Sequence, residues 1–339
     1  MLSENTVVLN KADITDYNAH SGEIIFNEEV TLSLRPGDIV VSDTIGLIAP
    51  CGFLRKVTDI NENTVSTAPA TIEEAVKNCS AQKTVALSPY NATFFPEPDV
   101  QAKLRSPEAG DYDFAIDFEK YFYGGPQVDY VGASGYINFN FGYILNLVIQ
   151  DNTIQHLSFV IVVDDDARIR LQSNIQASIQ RDFRIGEFDM GCFVMYIPRT
   201  GFPVVLKPDI AVYVGAAGAG SAHFDVTVTR NADFEAGLKY DSIWGVLKNH
   251  DNEFGFDRNY SDEIDLNCYI QTRTNCLFYG LSGLNATIDT YLDANIAETN
   301  GEIRGGLEAS AVIDPEMLSS GVPGYSNQIF RLEEILWEM

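Results

Sequence analysis

The sequence has few basic residues and no long hydrophobic run. Its 339 residues include 22 Lys and Arg against 48 Asp and Glu, which gives a formal net charge of −26. A surface of that sign repels the phosphates of nucleic acids and anionic lipid headgroups, so we expect no nucleic-acid partner. No stretch approaches the roughly 18 continuous apolar residues of a spanning helix, so we also expect no membrane span.

Cysteine and histidine are scarce. The five cysteines are scattered and form no CxxC pair, which excludes a disulfide scaffold and a zinc or thioredoxin-like motif. Free cysteine is among the most buried residue types, and burial as small apolar side chains is the expected role here. A Cys51–Cys79 or Cys268–Cys276 bridge is the alternative. The four histidines are spread along the chain and match no HExxH motif.

Motifs of familiar enzymes are missing. Around Ser134 and Ser282 the glycine spacing does not fit the GxSxG nucleophile elbow. The glycine-rich segment 215–220 lacks the Lys-Ser/Thr pair of a phosphate-binding loop, and we interpret it as a hairpin turn or a flat strand segment. Acidic residues are too abundant for two of them to be singled out as a glycoside-hydrolysis pair. The sequence therefore predicts a non-enzymatic protein without a cofactor.

What the sequence does have is strict two-residue alternation of apolar and polar residues. Every second residue is apolar over 137–149, and the same pattern runs over 169–185 with breaks at Ser173 and Arg181. Such strands have one buried and one solvent-exposed face, as in antiparallel sheets. At about 3.3 Å per residue the second run would span roughly 55 Å, so we expect a bend or bulge near Ser173 or Arg181.

The pattern predicts a mainly β protein with two parts. A large antiparallel β-sandwich or flattened barrel occupies 111–310, and a small β module with one short helix occupies 1–80. Within the module, 53–60 and 64–67 form a predicted hairpin with a three-residue loop. Thr71 and Glu74 make a capping box at the start of a helix over 71–78.

Other segments are predicted from turn and breaker residues. Four prolines over 81–110 indicate a linker or a wrapping loop. The tail, 311–339, is a helix or an edge strand, and the spacing of its apolar residues fits a helix better. Clusters of Asp and Asn favour turns at Asp151-Asn152, Asp164-Asp165-Asp166, Asn231-Ala232-Asp233 and 249–255.

Two segments are candidate binding sites. The three carboxylates of Asp164, Asp165 and Asp166 in one turn offer hard oxygen ligands for Ca²⁺, although the segment does not match an EF-hand loop. A solvated turn is the alternative. The aromatic loop 121–126 can present rings to a sugar or a partner, or it can cover the end of the core.

Three motifs lie close together near the start of the chain: RPGDIVVS over 35–42, APCGFLRKVT over 49–58 and ATIEEAV over 70–76. Together they resemble a module found near the start of poorly characterised secreted or cell-surface β-rich proteins, mainly bacterial. The resemblance covers about residues 30–77. It implies an extracellular or cell-surface location and a structural or adhesive role, and it brings no catalytic residues. The first residues lack the basic and apolar segments of a leader, so we expect either that the chain is not exported by that route or that a leader is absent from the given sequence.

The sequence thus predicts a non-enzymatic extracellular protein with a structural, adhesive or self-assembling role, of the filament or surface-layer type. Segments 6–10 and 329–337 are candidates for strand exchange with a neighbouring copy, since unpaired sheet edges invite strand addition. A carbohydrate-binding module or glycan-active enzyme is the alternative. An outer-membrane β-barrel is the second alternative, because alternation does not distinguish lipid from a protein core.

Overall fold

The computed structural model shows a mainly β chain with three sheets. It describes residues 1–27, 33–88, 90, 92–104, 112–124, 130–173, 177–220, 224–258, 264–296 and 301–338. One sheet forms the N-terminal module, and the two others form the large domain, as the alternation predicted.

The N-terminal module is a six-stranded mixed sheet with one short α-helix. Its strands are β1 (Thr6–Val8), β2 (Ile14–Asn18), β3 (Glu23–Phe26), β4 (Ile39–Ser42), β5 (Phe53–Asn61) and β6 (Thr64–Pro69). Their spatial order is β1-β4-β5-β6-β3-β2, in which β1 is parallel to β4. The predicted hairpin is therefore confirmed. Its loop is shorter than expected, because pairing continues to Asn61 opposite Thr64.

The predicted capping box is present at the start of the helix. The backbone N–H of Glu74 donates to Thr71 Oγ1 at 3.1 Å, and the Glu74 carboxylate accepts from the Thr71 N–H at 3.0 Å. The helix, α1 (Ile72–Ala75), is a single turn and shorter than the predicted 71–78. It ends because Val76 is extended and forms a β-bridge with Leu2, so tertiary pairing replaces the next helical turn.

The described residues of the large domain form fifteen strands. In chain order they are β7 (Cys79–Ala86), β8 (Thr93–Pro96), β9 (Gln101–Leu104), β10 (Phe114–Tyr123), β11 (Val131–Gln150), β12 (Thr153–Ser173), β13 (Ala177–Asp189), β14 (Phe193–Tyr196), β15 (Pro203–Gly220), β16 (Phe224–Tyr240), β17 (Trp244–Arg258), β18 (Ile264–Phe278), β19 (Ser282–Ile296), β20 (Gly301–Ile313) and β21 (Tyr325–Glu338). The first sheet has the order β17-β16-β12-β11-β10-β9, with β7 also paired to β11. The second sheet has the order β21-β20-β19-β18-β15-β13-β8, with β14 paired to β15.

These two sheets pack face to face as an antiparallel β-sandwich. Their inward side chains form one continuous core. The rings of Phe139 and Phe188 meet across it with centroids 5.9 Å apart, and those of Phe234 and Phe330 with centroids 6.1 Å apart. The sequence left open a sandwich or a flattened barrel, and the two separate sheets show the sandwich.

The alternating run over 169–185 is divided between the two sheets. β12 ends at Ser173 in the first sheet, and β13 starts at Ala177 in the second. Residues 174–176 lie outside the described residues. The interruption predicted near Ser173 is thus a change of sheet, and the register of β13 on β15 shifts once more between Arg184 and Gly186.

Three of the predicted turns are wrong. The turn at Asp151-Asn152 is present, with φ values of 48° and 58°. The segments 164–166, 231–233 and 249–255 instead lie inside β12, β16 and β17. These strands pair continuously through the polar segments, so hydrogen bonding to neighbouring strands outweighs the local preference for a turn. The glycine-rich segment 215–220 is a strand segment of β15.

The segment 81–110 carries short strands where a linker or wrapping loop was expected. β7 and β9 extend the first sheet, and β8 extends the second. Each is at most eight residues long and ends near the prolines or polar residues that suggested a loop. Residues 105–110 lie outside the described residues.

The C-terminal segment is an edge strand, and the helical spacing of its apolar residues is misleading. β21 pairs with β20 from Tyr325 opposite Ile313 to Glu338 opposite Glu302. Two register shifts each skip one residue of β21, at positions 329 and 336. A bulge of this kind reverses the phase of the alternation, and two of them make a strand resemble a helical repeat.

One disulfide joins the module to the sandwich. It links Cys51 with Cys192, residues separated by 141 positions. Neither sequence-based pairing is correct, because a bond over that distance depends on how the two domains pack. Cys268 and Cys276 are buried thiols, as expected. The bond indicates an oxidising environment.

The helices within the described residues are short. Among the residues that the structure describes, no helix has the length and apolar character needed to cross a bilayer.

Candidate functional site

The predicted acidic cluster lies in the middle of β12 and does not form a turn. Successive side chains of a strand point to opposite faces, so Asp165 faces the core while Asp164 and Asp166 face outward. The two outward carboxylates accept from the side-chain amides of Asn140 and Asn138 at 3.1 and 3.2 Å. The three carboxylates of the calcium prediction therefore do not converge. Within the described ranges, no group of three or more His, Cys, Asp or Glu side chains is placed to hold a metal ion.

The inward member of that cluster forms a buried ion pair. The Asp165 carboxylate contacts the Arg230 guanidinium of β16, and the two residues are 4% and 5% exposed. Burial lowers the pKa of Arg230 to about 9, which still leaves it charged at neutral pH. Sequence reasoning missed Arg230, although a signal was present, because Arg230 has the same strand phase as the apolar residues Val228 and Ala232. That it meets Asp165 follows only from the register of β12 on β16.

The aromatic loop over 121–126 contributes to the core at its start. The Phe122 ring packs against the ring of Phe183 with centroids 5.3 Å apart. The Tyr121 hydroxyl donates to Glu119 at 2.5 Å, and Tyr123 is exposed. Residues 125 and 126 lie outside the described residues. Residues 121–123 are thus the end of strand β10 and not a loop, with Phe122 packed on the core and Tyr123 in solvent.

A groove on the outer face of the second sheet combines aromatic and polar side chains. We call it the tyrosine groove. It encloses about 280 Å³ and is lined by Asn267, Tyr269, Gln271, Asp289, Tyr291, Asp293, Glu308 and Arg331. These residues come from the four adjacent strands β18, β19, β20 and β21, whose outward phases meet there.

The two tyrosines open the groove by leaning away from each other. Tyr269 and Tyr291 stand directly opposite one another on β18 and β19. Tyr269 also faces Gly215 on β15, and Tyr291 faces Gly306 on β20. A Cβ added at either glycine would overlap the facing ring. The absence of side chains at these glycines therefore lets both rings lie flat against the sheet.

Polar contacts hold the floor and one wall of the groove. The Gln271 amide donates to Asp289 at 2.5 Å. On the other side, Arg331 Nε donates to the Tyr291 hydroxyl at 3.1 Å, and its guanidinium lies 5.3 Å from the centre of the Tyr291 ring. The groove therefore offers fixed hydrogen-bond donors and acceptors next to aromatic faces.

The three carboxylates in the groove have different surroundings. Asp289 stands directly opposite Glu308 across β19 and β20. Burial, and in addition the nearby Glu308 charge, raise the pKa of Asp289, while the hydrogen bond from Gln271 acts in the opposite direction. Glu308 lies 3.9 Å from the Arg331 guanidinium. Burial also raises the pKa of Asp293, with a smaller contribution from Asp265.

Sequence reasoning placed β18 and β19 in the large β domain, favoured a helix for the segment that forms β21, and missed the groove itself. The sequence did carry a signal for the groove, because Tyr269 and Tyr291 are large aromatic residues at solvent-exposed positions of alternating strands. Which strands are neighbours, and which residues stand opposite the tyrosines, follows only from sheet order and register.

The segments expected to exchange with a neighbouring copy are paired within the chain. β1 pairs with β4, and β21 pairs with β20 along almost its whole length. Strand exchange through either segment would first break these intramolecular ladders.

No model of a known protein family, no characterised protein and no solved structure matches the chain. The resemblance of residues 30–77 to secreted β-rich proteins accordingly stays a prediction.

Proposed function

We propose that the protein is a non-enzymatic, extracellular adhesive β protein that attaches to carbohydrate through the tyrosine groove. The observation that carries this proposal is the pair of rings, Tyr269 and Tyr291, held flat against the sheet on either side of a polar floor. The groove lies on the outer face of a long, two-sided sandwich, where an extended chain of sugars has access to it.

The chemistry of the groove matches a neutral saccharide. The apolar C–H face of a pyranose packs against an aromatic ring, and its hydroxyl groups both donate and accept hydrogen bonds. The carboxylates of Asp289 and Asp293 accept from hydroxyls, and the amides of Asn267 and Gln271 do both. The overall charge of −26 disfavours phosphate-bearing polymers in the same place.

An extracellular location is supported by the covalent chemistry of the chain. The Cys51–Cys192 bond joins two domains, and such structural disulfides persist in oxidising compartments. The strongly acidic surface also suits a protein that stays dissolved outside the cell.

A glycan array followed by calorimetry with the best saccharide tests the proposal. Tyr291→Ala removes one aromatic wall and is expected to weaken binding about tenfold or more, because stacking on an aromatic ring contributes free energy of that order. Tyr123→Ala removes an exposed tyrosine outside the groove and should leave affinity unchanged. An array without hits, together with no saccharide-dependent rise in melting temperature, would refute the proposal.

A glycan-active enzyme is the second candidate, and the Asp289–Glu308 pair favours it. Asp289 has a raised pKa, and the neighbouring Glu308 lies near Arg331. Glycosidases use two carboxyl groups with such different surroundings, one as the general acid and the other as the nucleophile or general base. The two candidates are separated by incubating the bound oligosaccharide with the protein and analysing its mass. Intact sugar supports the adhesive role. Cleavage that Asp289→Asn abolishes, with binding retained, supports the enzyme.

Self-association is a further part of the proposal. β17 and β21 are the last strands of their sheets, and at one end they meet around Trp244, whose indole donates to the Pro323 carbonyl at 2.7 Å. We propose that copies associate through the remaining length of these edges. Light scattering over a range of concentrations tests this, and a constant monomer mass would contradict it.

A further inference from the structure

The tyrosine groove continues into a longer polar surface along β18 and β19. Every second residue of a strand points outward, and the outward side chains of these two strands face each other in pairs. The pairs from Asn267 opposite Asp293 to Asn275 opposite Asn285 define what we call the polar strip. At about 3.4 Å per residue, Asn267 and Asn275 are roughly 27 Å apart along β18. The polar strip is therefore longer than the groove, whose lining on β18 ends at Gln271.

The side chains of the polar strip have the hydrogen-bonding chemistry of a saccharide site. Its amides, which donate and accept as sugar hydroxyls do, are Asn267, Gln271, Asn275 and Asn285. Asn275 and Asn285 stand directly opposite each other, and both are exposed. This uncharged pair offers hydrogen bonds to a neutral ligand beyond the end of the groove.

The outer face of the first sheet has a different character. On β12 and β16, Asp164 stands directly opposite Asp233, and Arg170 forms an ion pair with Asp225. Charged residues thus occupy outward positions there that amides occupy in the polar strip. The amides are a local feature of β18 and β19 and not a general property of the outer strands.

The walls of the groove direct a long ligand along the strands. The Tyr269 ring lies against Gly215 of β15 on one side of the polar strip. The Tyr291 ring lies against Gly306 of β20 on the other side. A chain that crossed the strands would have to pass over both rings, whereas a chain parallel to the strands runs between them.

Arg273 is held to one side of the polar strip. It is exposed and follows Gln271 among the outward residues of β18. Its guanidinium lies 4.2 Å from the centre of the Tyr213 ring on β15, and its Nε donates to the Gln271 side chain. Because β15 lies on the side of β18 away from β19, Arg273 leans away from the polar strip. The path from the tyrosines to Asn275 and Asn285 therefore stays open.

We propose that the polar strip binds the interior of an unbranched, neutral, β-1,4-linked polysaccharide whose chain lies parallel to β18 and β19. This inference rests on the proposed saccharide role of the tyrosine groove and adds the shape and length of the ligand. The tyrosines stack on one sugar, and the amides bind the hydroxyls of the sugars that follow. A β-1,4-linked chain suits a straight strip, because its sugars form a flat ribbon with hydroxyls along both edges, whereas α-1,4-linked chains coil.

Calorimetry on the full chain with cellobiose and cellohexaose tests the length of the site. Both sugars have the same linkage, but only the hexasaccharide is long enough to reach from the tyrosines to Asn275 and Asn285. Each net hydrogen bond changes affinity by about two- to tenfold, so cellohexaose should bind at least about tenfold more tightly. Maltohexaose, which has the same number of sugars in α-1,4 linkage, should bind more weakly than cellohexaose.

Variants at the far end of the polar strip locate the additional contacts. Asn275→Ala combined with Asn285→Ala should weaken cellohexaose binding about fivefold or more and leave cellobiose binding unchanged. Asn231→Ala, at an exposed asparagine on the outer face of β16, is the matched control and should change neither. Tyr291→Ala should weaken the binding of both sugars. The comparison of the two sugars uses the unaltered chain, so it decides the proposal even if a variant fails to fold.

The outcomes separate this inference from the proposed function. The inference is overturned if cellobiose and cellohexaose bind equally, or if the double variant binds cellohexaose as the Asn231→Ala control does; the groove then remains a short saccharide site. Tighter binding of maltohexaose, or array hits without binding of either cello-oligosaccharide, would overturn the β-1,4 class. A glycan array without hits would remove the proposed function, and this inference with it.

Discussion

Removing the carboxylate of the buried ion pair is expected to be strongly destabilising. Asp165 and Arg230 are 4% and 5% exposed, so Asp165→Ala leaves a guanidinium in the core without its counter-charge. Breaking a buried pair in this way costs about 3–5 kcal/mol. Asp164→Ala, one residue away on the outer face, is the matched control and should change stability by no more than about 0.5 kcal/mol.

The double variant separates the value of the pair from the cost of an unpaired charge. Replacing both residues with apolar ones, Asp165→Leu with Arg230→Met, removes both charges together. Such replacements are often neutral or stabilising by about 1–4 kcal/mol. We therefore expect the double variant to be far more stable than the sum of the single changes predicts, which a double-mutant cycle measures directly.

The pH dependence identifies which charge is left behind. In Arg230→Met the lone Asp165 carboxyl takes a raised pKa in the folded state because burial disfavours its ionised form. The free-energy cost of burying the ionised carboxylate is therefore absent below the pKa of Asp165 in the unfolded state. This cost grows as the pH rises from that value to the higher pKa of the folded state. The cost of Arg230→Met should thus be smaller at pH 5 than at pH 7. The cost of Asp165→Ala should not shrink, because the guanidinium stays charged at both.

Urea unfolding followed by circular dichroism gives these free energies, with the slope checked for two-state behaviour. A loss below about 1 kcal/mol for Asp165→Ala would refute the reasoning, since it would place the pair in contact with water. A double variant as unstable as the two single variants combined would refute it as well.

Three further outcomes are expected. Replacing Cys51 and Cys192 with Ala removes a cross-link between residues 141 positions apart. By restricting the unfolded chain, this cross-link contributes about 5 kcal/mol of stability, so urea unfolding should show a decrease in the free energy of unfolding that approaches this value. An unchanged free energy of unfolding would contradict the chain-entropy reasoning. Asp289→Asn should raise the free energy of unfolding at pH 7, because the raised pKa of Asp289 shows that its ionised form is unfavourable in the folded state. The gain should vanish at pH 3, where Asp289 is protonated. An equal gain at pH 7 and pH 3 would contradict a charge effect. Gly306→Ala should displace the Tyr291 ring and, in calorimetry, weaken saccharide binding about as much as Tyr291→Ala does. An unchanged affinity would contradict the role of the glycine.

Local features of the chain determined much of the architecture. The alternation over 137–149 set the strand and its buried face, since a period of two is a property of the extended backbone itself. The capping box of Thr71 and Glu74 and the turn at Asp151-Asn152 were equally readable, because their partners lie within three residues.

Only the tertiary structure decided the features that depend on distant partners. The polar segment 164–166 lies inside a strand because β11 and β16 pair with it on both sides, and the tail is a strand because β20 pairs with it. The same holds for the bond of Cys51 to Cys192 and for the meeting of Tyr291 with Gly306. The alternation of apolar and polar residues predicts which face of the sheet a side chain occupies. Its neighbours depend on strand order and register, which arise when the sheets assemble.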